Sequence, residues 1–248
     1  MELRRYRADL HIHSCLSPCG ELTNYPRRIV ERAVEEDLDV IAVTDHNTAE
    51  NAAAVLRAAE GTGVAVLPGM EVASEEEVHV LGLFESLGDL LPVQDAVFRS
   101  LPEVPPKKTF VKDQVIVNAD DEVTGFSARH LLAATRLDLR AVVSLIHRFG
   151  GLAVASHIDK DAFSVISQLG FVPPDLDLDA LEVSPHMTVA AARKAFGLNP
   201  SAALVRFSDA HRPEDIGRTT TDFLLAAPTL PEIRKALRSK GGRKVCAS

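Results

Sequence analysis

Two histidines one residue apart, His11 and His13, lie in the run Ala8-Asp9-Leu10-His11-Ile12-His13. In an extended strand, period-2 alternation turns both imidazoles to one face, where they can close on a single ion. Four more short apolar runs end in residues of the same chemical type. Residues 40–43 lead into Thr44-Asp45-His46, 64–67 into Pro68-Gly69-Met70-Glu71, 152–155 into Ser156-His157, and 203–207 into Ser208-Asp209-Ala210-His211. A further His79 sits in Val78-His79-Val80-Leu81. Imidazoles and carboxylates are common protein donors to metal ions, so their repetition at run ends points to one metal centre built from many segments.

The segments between those runs read as helices. Residues 26–36 are amphipathic with Pro26 in the first turn, and 48–60 are Ala-rich and stopped by Gly61-Thr62-Gly63. Residues 138–149 close on Gly150-Gly151, and 162–169, 188–196 and 231–239 follow the same periodicity. The strands expected between them are 39–44, 64–67, 152–155, 180–184, 202–207 and 222–226. Short buried strands alternating with helices predict an α/β fold with a parallel sheet covered by helices. Nearly every candidate donor falls at or just past the C-terminal end of a strand, where an α/β barrel builds its site. Neither Gly-x-Gly-x-x-Gly nor Gly-x-x-x-x-Gly-Lys is present, and donors from at least six strands favour closure into a barrel.

From 85 to 129 the pattern loosens, with Pro92, Pro102, Pro105, Pro106, Lys107-Lys108, a short strand at 114–117 and the acidic Asp120-Asp121-Glu122. This reads as an insertion that forms a flap over the site or an outer cap. Glu75-Glu76-Glu77 reads as a solvated turn.

The 248 residues fit a single domain. A net charge of −8 argues against a broad basic face for a long nucleic-acid duplex, whereas a small anion can still bind where cations invert the local field. The start, Met1-Glu2-Leu3-Arg4-Arg5, has no apolar core behind it, so no targeting segment is expected, and no run approaches the length of a membrane span. Three cysteines are too few for a disulfide framework and fit a reducing cytoplasm. Oligomeric state stays open.

Taken in order, His11-x-His13, Asp45-His46, Glu71, His79, His157 and Asp209-x-His211 resemble the motifs of the PHP (polymerase and histidinol phosphatase) family of metal-dependent phosphoesterases. The likeness covers the chain outside 85–129. It implies a distorted, TIM-like (β/α)7 barrel and two or three divalent ions, commonly Mn, Fe or Zn. Carried over, His11, His13 and Asp209 would hold the first ion, Glu71 would bridge it to a second completed by His79 and His157, and His46 with His211 would take a third. Relatives supply another His or Asp to that third ion from the loop after His-x-His. Here the loop reads Ser17-Pro18-Cys19-Gly20, which makes Cys19 the substitute, and a thiolate favours softer ions such as Zn or Fe. Asp45 either ligates or accepts a hydrogen bond from a liganding histidine, and the second role is favoured.

His130, Arg148, Lys160 and Arg218 are candidates to clamp a substrate phosphate, while His147 and His186 are read as packing or surface residues. The resemblance implies hydrolysis of a phosphate ester of a small metabolite, nucleotide or short oligonucleotide by water activated between two ions, with Glu71 at the bridge and Asp209 or His211 handling protons. The alternatives are a phosphodiesterase or exonuclease on nucleic-acid ends, an amidohydrolase-like metal hydrolase, and a non-catalytic metal-stabilised domain. Amidohydrolase barrels also begin with His-x-His but want a bridging Lys that no strand end offers here. Without basic or aromatic tracks, a long single strand has little to follow.

Overall fold

The computed structural model describes residues 2–102 and 113–246. Pro105, Pro106 and Lys107-Lys108 lie outside the described residues. In chain order the strands are β1 (Arg4–Ile12), β2 (Val40–Val43), β3 (Ala65–Ala73), β4 (His79–Leu83), β5 (Val115–Val117), β6 (Val123–Phe126), β7 (Leu152–Ala155), β8 (Ala180–Glu182), β9 (Leu204–Val205), β10 (Thr221–Leu225) and β11 (Lys244–Val245). The helices are α1 (Pro26–Glu35), α2 (Ala52–Ala58), α3 (Leu87–Ser100), α4 (Leu139–Arg148), α5 (Val165–Leu169), α6 (Val189–Phe196) and α7 (Leu230–Leu237).

The main sheet runs β11-β10-β1-β2-β3-β4-β7-β8-β9. Seven of its strands curl into a nearly closed barrel, because the chain just past β9 returns to the end of β1. There His13 N donates to Ala210 O at 2.8 Å and Ala210 N to His11 O at 3.3 Å. β10 pairs antiparallel with the other half of that β1 edge, Arg4 opposite Leu225 and Ala8 opposite Thr221. An apolar cluster from all seven ring strands fills the interior, including Leu10, Ala42, Leu67, Leu81, Val154, Ala180 and Val205, and Leu230, Ile233 and Ala236 of α7 plug the end near the start of β1. Helices α3 to α6 cover the outside of β3, β4, β7 and β8, and α1 with α2 covers β1 and β2.

The sheet departs from the expected parallel arrangement at β4, which is antiparallel to both β3 and β7. Only residues 74–78 separate β3 from β4, too few for a crossover helix. The reversal matters for the site, because His79 begins its strand yet stands opposite Ala73, the last residue of β3. It therefore shares the rim where the parallel strands end.

The region expected to loosen at 85 opens instead with the 14-residue α3. Ser86 caps it by accepting from Asp89 N at 3.3 Å, and Leu90, Val93 and Val97 bury their side chains at helical spacing around the internal Pro92. The described remainder of that region holds the β5–β6 hairpin, which docks on Asn51 at the start of α2. Val117 N donates to Asn51 Oδ1 at 3.0 Å, and Asn51 Nδ2 donates to Val115 O at 3.3 Å. Among the described residues no helix is long and apolar enough to cross a membrane.

Gly151 shows how tightly the outer layer closes. A Cβ there would meet Phe84 Cε1 at 2.6 Å, Ile146 Cγ2 at 2.8 Å and the Leu83 carbonyl at 3.0 Å. Phe84 and Ile146 are fully buried and cannot swing away. Gly151→Ala is expected to destabilise the fold by about 1–3 kcal/mol, the usual range for overpacking. Chemical denaturation beside Gly88→Ala, where the nearest atom would be Ser86 Oγ at 3.5 Å, checks this; equal midpoints would show that the layer yields.

Candidate metal centre

The rim where the parallel strands end gathers the histidines and acids singled out from the sequence. On β1 a register shift between Asp9 and Ile12 re-aims the side chains. Leu10 still fills the barrel interior, whereas Ile12 packs outward with Ile29 and Val30 of α1, which turns His11 and His13 to the mouth. His157 and Asp209 follow β7 and β9 with φ of 28° and 51°, in the left-handed region that non-glycine residues rarely adopt. These bends throw the two side chains back over the barrel, a strain of order 1–3 kcal/mol each that the surrounding contacts hold in place.

Glu71 is the hub. Its Oε1 lies 3.4 Å from His11 Nε2, 3.2 Å from His79 Nδ1 and 3.4 Å from His157 Nε2, and its Oε2 lies 3.5 Å from His13 Nε2 and 3.0 Å from His46 Nδ1. Asp209 Oδ1 stands 3.3 Å from Nε2 of both His11 and His13, and its other oxygen pairs with Lys160 Nζ. A second group combines His13, Cys19, His46 and His211, whose donor atoms lie within 4.8 Å of one another.

The surroundings fix which nitrogen of each ring faces inward. His11 Nδ1 donates to the Glu182 carboxylate at 2.9 and 3.0 Å. His13 Nδ1 donates to Ser17 Oγ at 3.0 Å, and that hydroxyl donates to Asp45 Oδ1 at 2.6 Å. His211 Nδ1 donates to the Asp209 carbonyl at 2.8 Å. With both Nδ1 atoms committed, the Nε2 atoms of His11 and His13 turn inward and meet at 3.2 Å. A cation there would be held by both rings in their neutral form. Glu71 Oε1 and His79 Nδ1 are buried at the hub without hydrogen-bond partners, which likewise suits a cation. The donor set fits divalent metal ions.

Electrostatics follow the same geometry. Burial alone would raise the Glu71 carboxyl, but His79, His11 and His46 outweigh it and hold it well below the usual carboxylate range. Asp209 is likewise held down by His11, His13 and Lys160 against the cost of its burial. Burial would also raise the Cys19 thiol, yet hydrogen bonds from His211 and His46 bring it down to about 7, where a thiolate is readily available.

Asp45 faces away from the hub. It accepts from Ser14 N at 2.7 Å, Ser14 Oγ at 2.6 Å and Ser17 Oγ, so it steadies His13 through Ser17 rather than by direct contact with an imidazole. Of the expected phosphate clamps, only Lys160 lines the cavity over the centre, a space of about 590 Å³ whose wall includes Leu131, Leu132 and Phe163. His130 stands beside that wall without lining it. Arg148 is exposed in the last turn of α4, at the opposite end of the barrel, and Arg218 is exposed and paired with Asp215 at 2.8 Å. His147 pairs with Asp179 at 2.9 Å, and His186 is exposed.

The residue that sequence reading missed is Glu182. It ends β8, is fully buried, and besides His11 accepts from His157 N at 3.1 Å, so it anchors two rim histidines at once. Its signal was available: a carboxylate at a strand end between the apolar Leu181 and Val183. Glu182→Gln is expected to weaken metal affinity about 10- to 100-fold, the range for residues that orient a liganding histidine. Competition against a chromophoric chelator measures this, and unchanged affinity would leave Glu182 a purely structural acid.

The family model described as "PHP domain" matches residues 9–186. Among curated proteins, the chain is 36% identical over 80 residues to the 5'-3' exoribonuclease Rnm of Salmonella typhimurium, covering 30% of this chain and 26% of that protein. It is 31% identical over 80 residues to the phosphoribosyl 1,2-cyclic phosphate 1,2-diphosphodiesterase of Eggerthella lenta, covering 30% and 29%. The chain spans half or less of the length of the curated relatives it matches. Among solved structures, the lesion-specific endonuclease PfuEndoQ of Pyrococcus furiosus superposes with a TM-score of 0.73 at 21% identity, over 98% of this chain and 58% of that one. Endonuclease Q in complex with a 27-mer duplex carrying an abasic lesion gives 0.72 at 20% identity, again over 98% and 58%. At such identities the likeness speaks to the fold.

Proposed function

The chain belongs to the PHP domain family of metal-dependent phosphoesterases, and from that premise we propose that it hydrolyses a phosphate ester of a nucleotide or short oligonucleotide. The observation that carries the reading is the convergence of five histidines on Glu71 at the floor of a cavity large enough for a small ligand, with Lys160 beside it. His11, His13 and Asp209 would hold one ion and His79 with His157 another, Glu71 being shared. Cys19, His46 and His211 would take a third, and the thiolate favours Zn or Fe there. Bound ions supply Lewis-acid polarisation of a phosphoryl oxygen and lower the pKa of water beside it.

The chain's own groups do the rest. Lys160 sets a positive charge where nonbridging phosphoryl oxygens arrive. Asp209, balanced between Lys160 and the two imidazoles, orients the attacking water. His211 stands among Cys19, His46 and His13, which supports a ligating role over the proton-handling one. Glu71 rather than a lysine occupies the hub, which weighs against the amidohydrolase reading. Three free cysteines support a cytoplasmic setting.

The Rnm and Eggerthella proteins are named for hydrolysis of phosphodiesters, which supports the nucleotide class and keeps action on nucleic-acid ends as the second reading. The expectation against duplexes finds no support among the structural neighbours, since one of them is bound to a duplex. The test is phosphate release and chain cleavage, with Mn, Zn or Fe supplied. The panel holds AMP, a 3′,5′-bisphosphonucleoside, a 5′-phosphorylated dinucleotide, histidinol phosphate and single- and double-stranded oligonucleotides, beside His13→Ala. Turnover of a nucleotide or oligonucleotide that the variant abolishes supports the reading. Preference for histidinol phosphate, or silence from protein shown to contain metal, overturns it.

A further inference from the structure

We propose that Phe163 is a stacking platform for a planar base on the substrate whose phosphate reaches the metal centre, an inference that rests on the phosphoester reading above. Phe163 lines the cavity and is 44% exposed. One face of its ring lies on His79, with centroids 4.8 Å apart and planes 14° from parallel, which leaves the remaining exposure to the cavity side. Leu132, 48% exposed, belongs to the same cavity wall together with Leu131. The pocket thus has two chemistries: a charged floor with Lys160 for a phosphate, and an apolar lip for something flat and uncharged.

The backbone supports a platform rather than a stray side chain. Phe163 has φ of 60°, an outlier for a bulky residue. The loop is nonetheless pinned on all sides. The Phe163 carbonyl accepts from His79 N at 2.9 Å, Lys160 N donates to His157 O at 2.9 Å, and Ser164 Oγ donates to Lys160 O at 2.8 Å. Asp159 accepts from both Ser184 N and Ser184 Oγ at 2.7 Å. A ring held this rigidly at a cavity mouth loses little freedom when a base settles on it, so stacking is retained as affinity. The competing explanation is that Phe163 only shelters His79, and it predicts no preference for a base.

Base stacking on an aromatic side chain is expected to raise affinity about five- to a hundredfold. The experiment compares kcat/KM for a 5′-phosphorylated dinucleotide and for the same compound lacking both bases, in the wild type, Phe163→Ala and Phe163→Tyr. The wild type should favour the base-bearing compound within that range, mainly through KM. Phe163→Ala should collapse the ratio towards one, and Phe163→Tyr should restore it. A second arm needs no turnover. The chain contains no Trp, so Phe163→Trp installs a single reporter, whose fluorescence should be quenched by AMP and not by ribose 5-phosphate. A base preference that survives in Phe163→Ala, or equal responses to AMP and ribose 5-phosphate, overturns the platform. If no phosphate ester is turned over at all, the phosphoester reading fails, and the tryptophan titration still decides the platform.

Discussion

Glu71→Gln should lower phosphoester hydrolysis by about a thousandfold or more, the upper end of what single electrostatic groups contribute and beyond the 10- to 100-fold that supporting residues cost. Both carboxylate oxygens of Glu71 face imidazole nitrogens, at 3.0 to 3.5 Å. An amide keeps one acceptor and points two N–H donors at nitrogens that need a negative neighbour. The fold should survive, because the backbone bonds of this position, Glu71 N to Asp45 O at 3.2 Å and Asn47 N to Glu71 O at 2.8 Å, do not involve the side chain. Turnover, metal content and far-UV circular dichroism measured on one preparation check this. Full activity in the variant would remove Glu71 from the centre of the chemistry.

The second large effect is the removal of metal. Chelator-treated protein should lose hydrolysis altogether and also melt at lower temperature, because ions that bind only the folded ring stabilise it by mass action. At a free concentration a hundred times the dissociation constant the gain is about 2.7 kcal/mol, or roughly 5–11 °C in Tm for a chain of this size. Its sign with pH follows from the ligands. Imidazoles bind metal only when deprotonated, so the gap between loaded and stripped protein should widen from acid to alkaline pH and close as pH falls. Thermal melts with and without Mn, Zn or Fe across that range test it. Identical melts at neutral pH would mean that the cluster holds no ion worth its burial.

Much of this site was legible because strand periodicity is a short-range rule. His11 and His13 share a face whatever the rest of the chain does, and the recurrence of His, Glu and Asp at strand ends depends only on where apolar runs stop. What stayed hidden required knowledge of neighbours. The shift after Asp9 that lets Leu10 point inward while Ile12 points outward is a property of pairing with β2. The placement of His79 depends on β4 reversing direction, which follows from a five-residue connection rather than from its own composition. α3 was obscured by Pro92, although Leu90, Val93 and Val97 carry the helical spacing. Arg148 looked available as a cation, but a helix that leads into a barrel strand ends at the far rim, and its last turn carries that side chain away from the cavity. Glu182 was passed over, because its partner His11 is 171 positions away.

The closure of the ring between the end of β1 and the chain past β9 also sets an order of events. Asp9 accepts from Ser208 N, a bond between residues 199 positions apart, and the neighbouring His13–Ala210 contact completes the rim. Contacts of such separation form late, since their loop-closure entropy must be met before they stabilise anything. The donors near the start of the chain meet Asp209 and His211 only in that last step, so ions find the complete donor set only in the closed ring. Their binding slows the opening of the finished ring and leaves the rate of its formation nearly untouched.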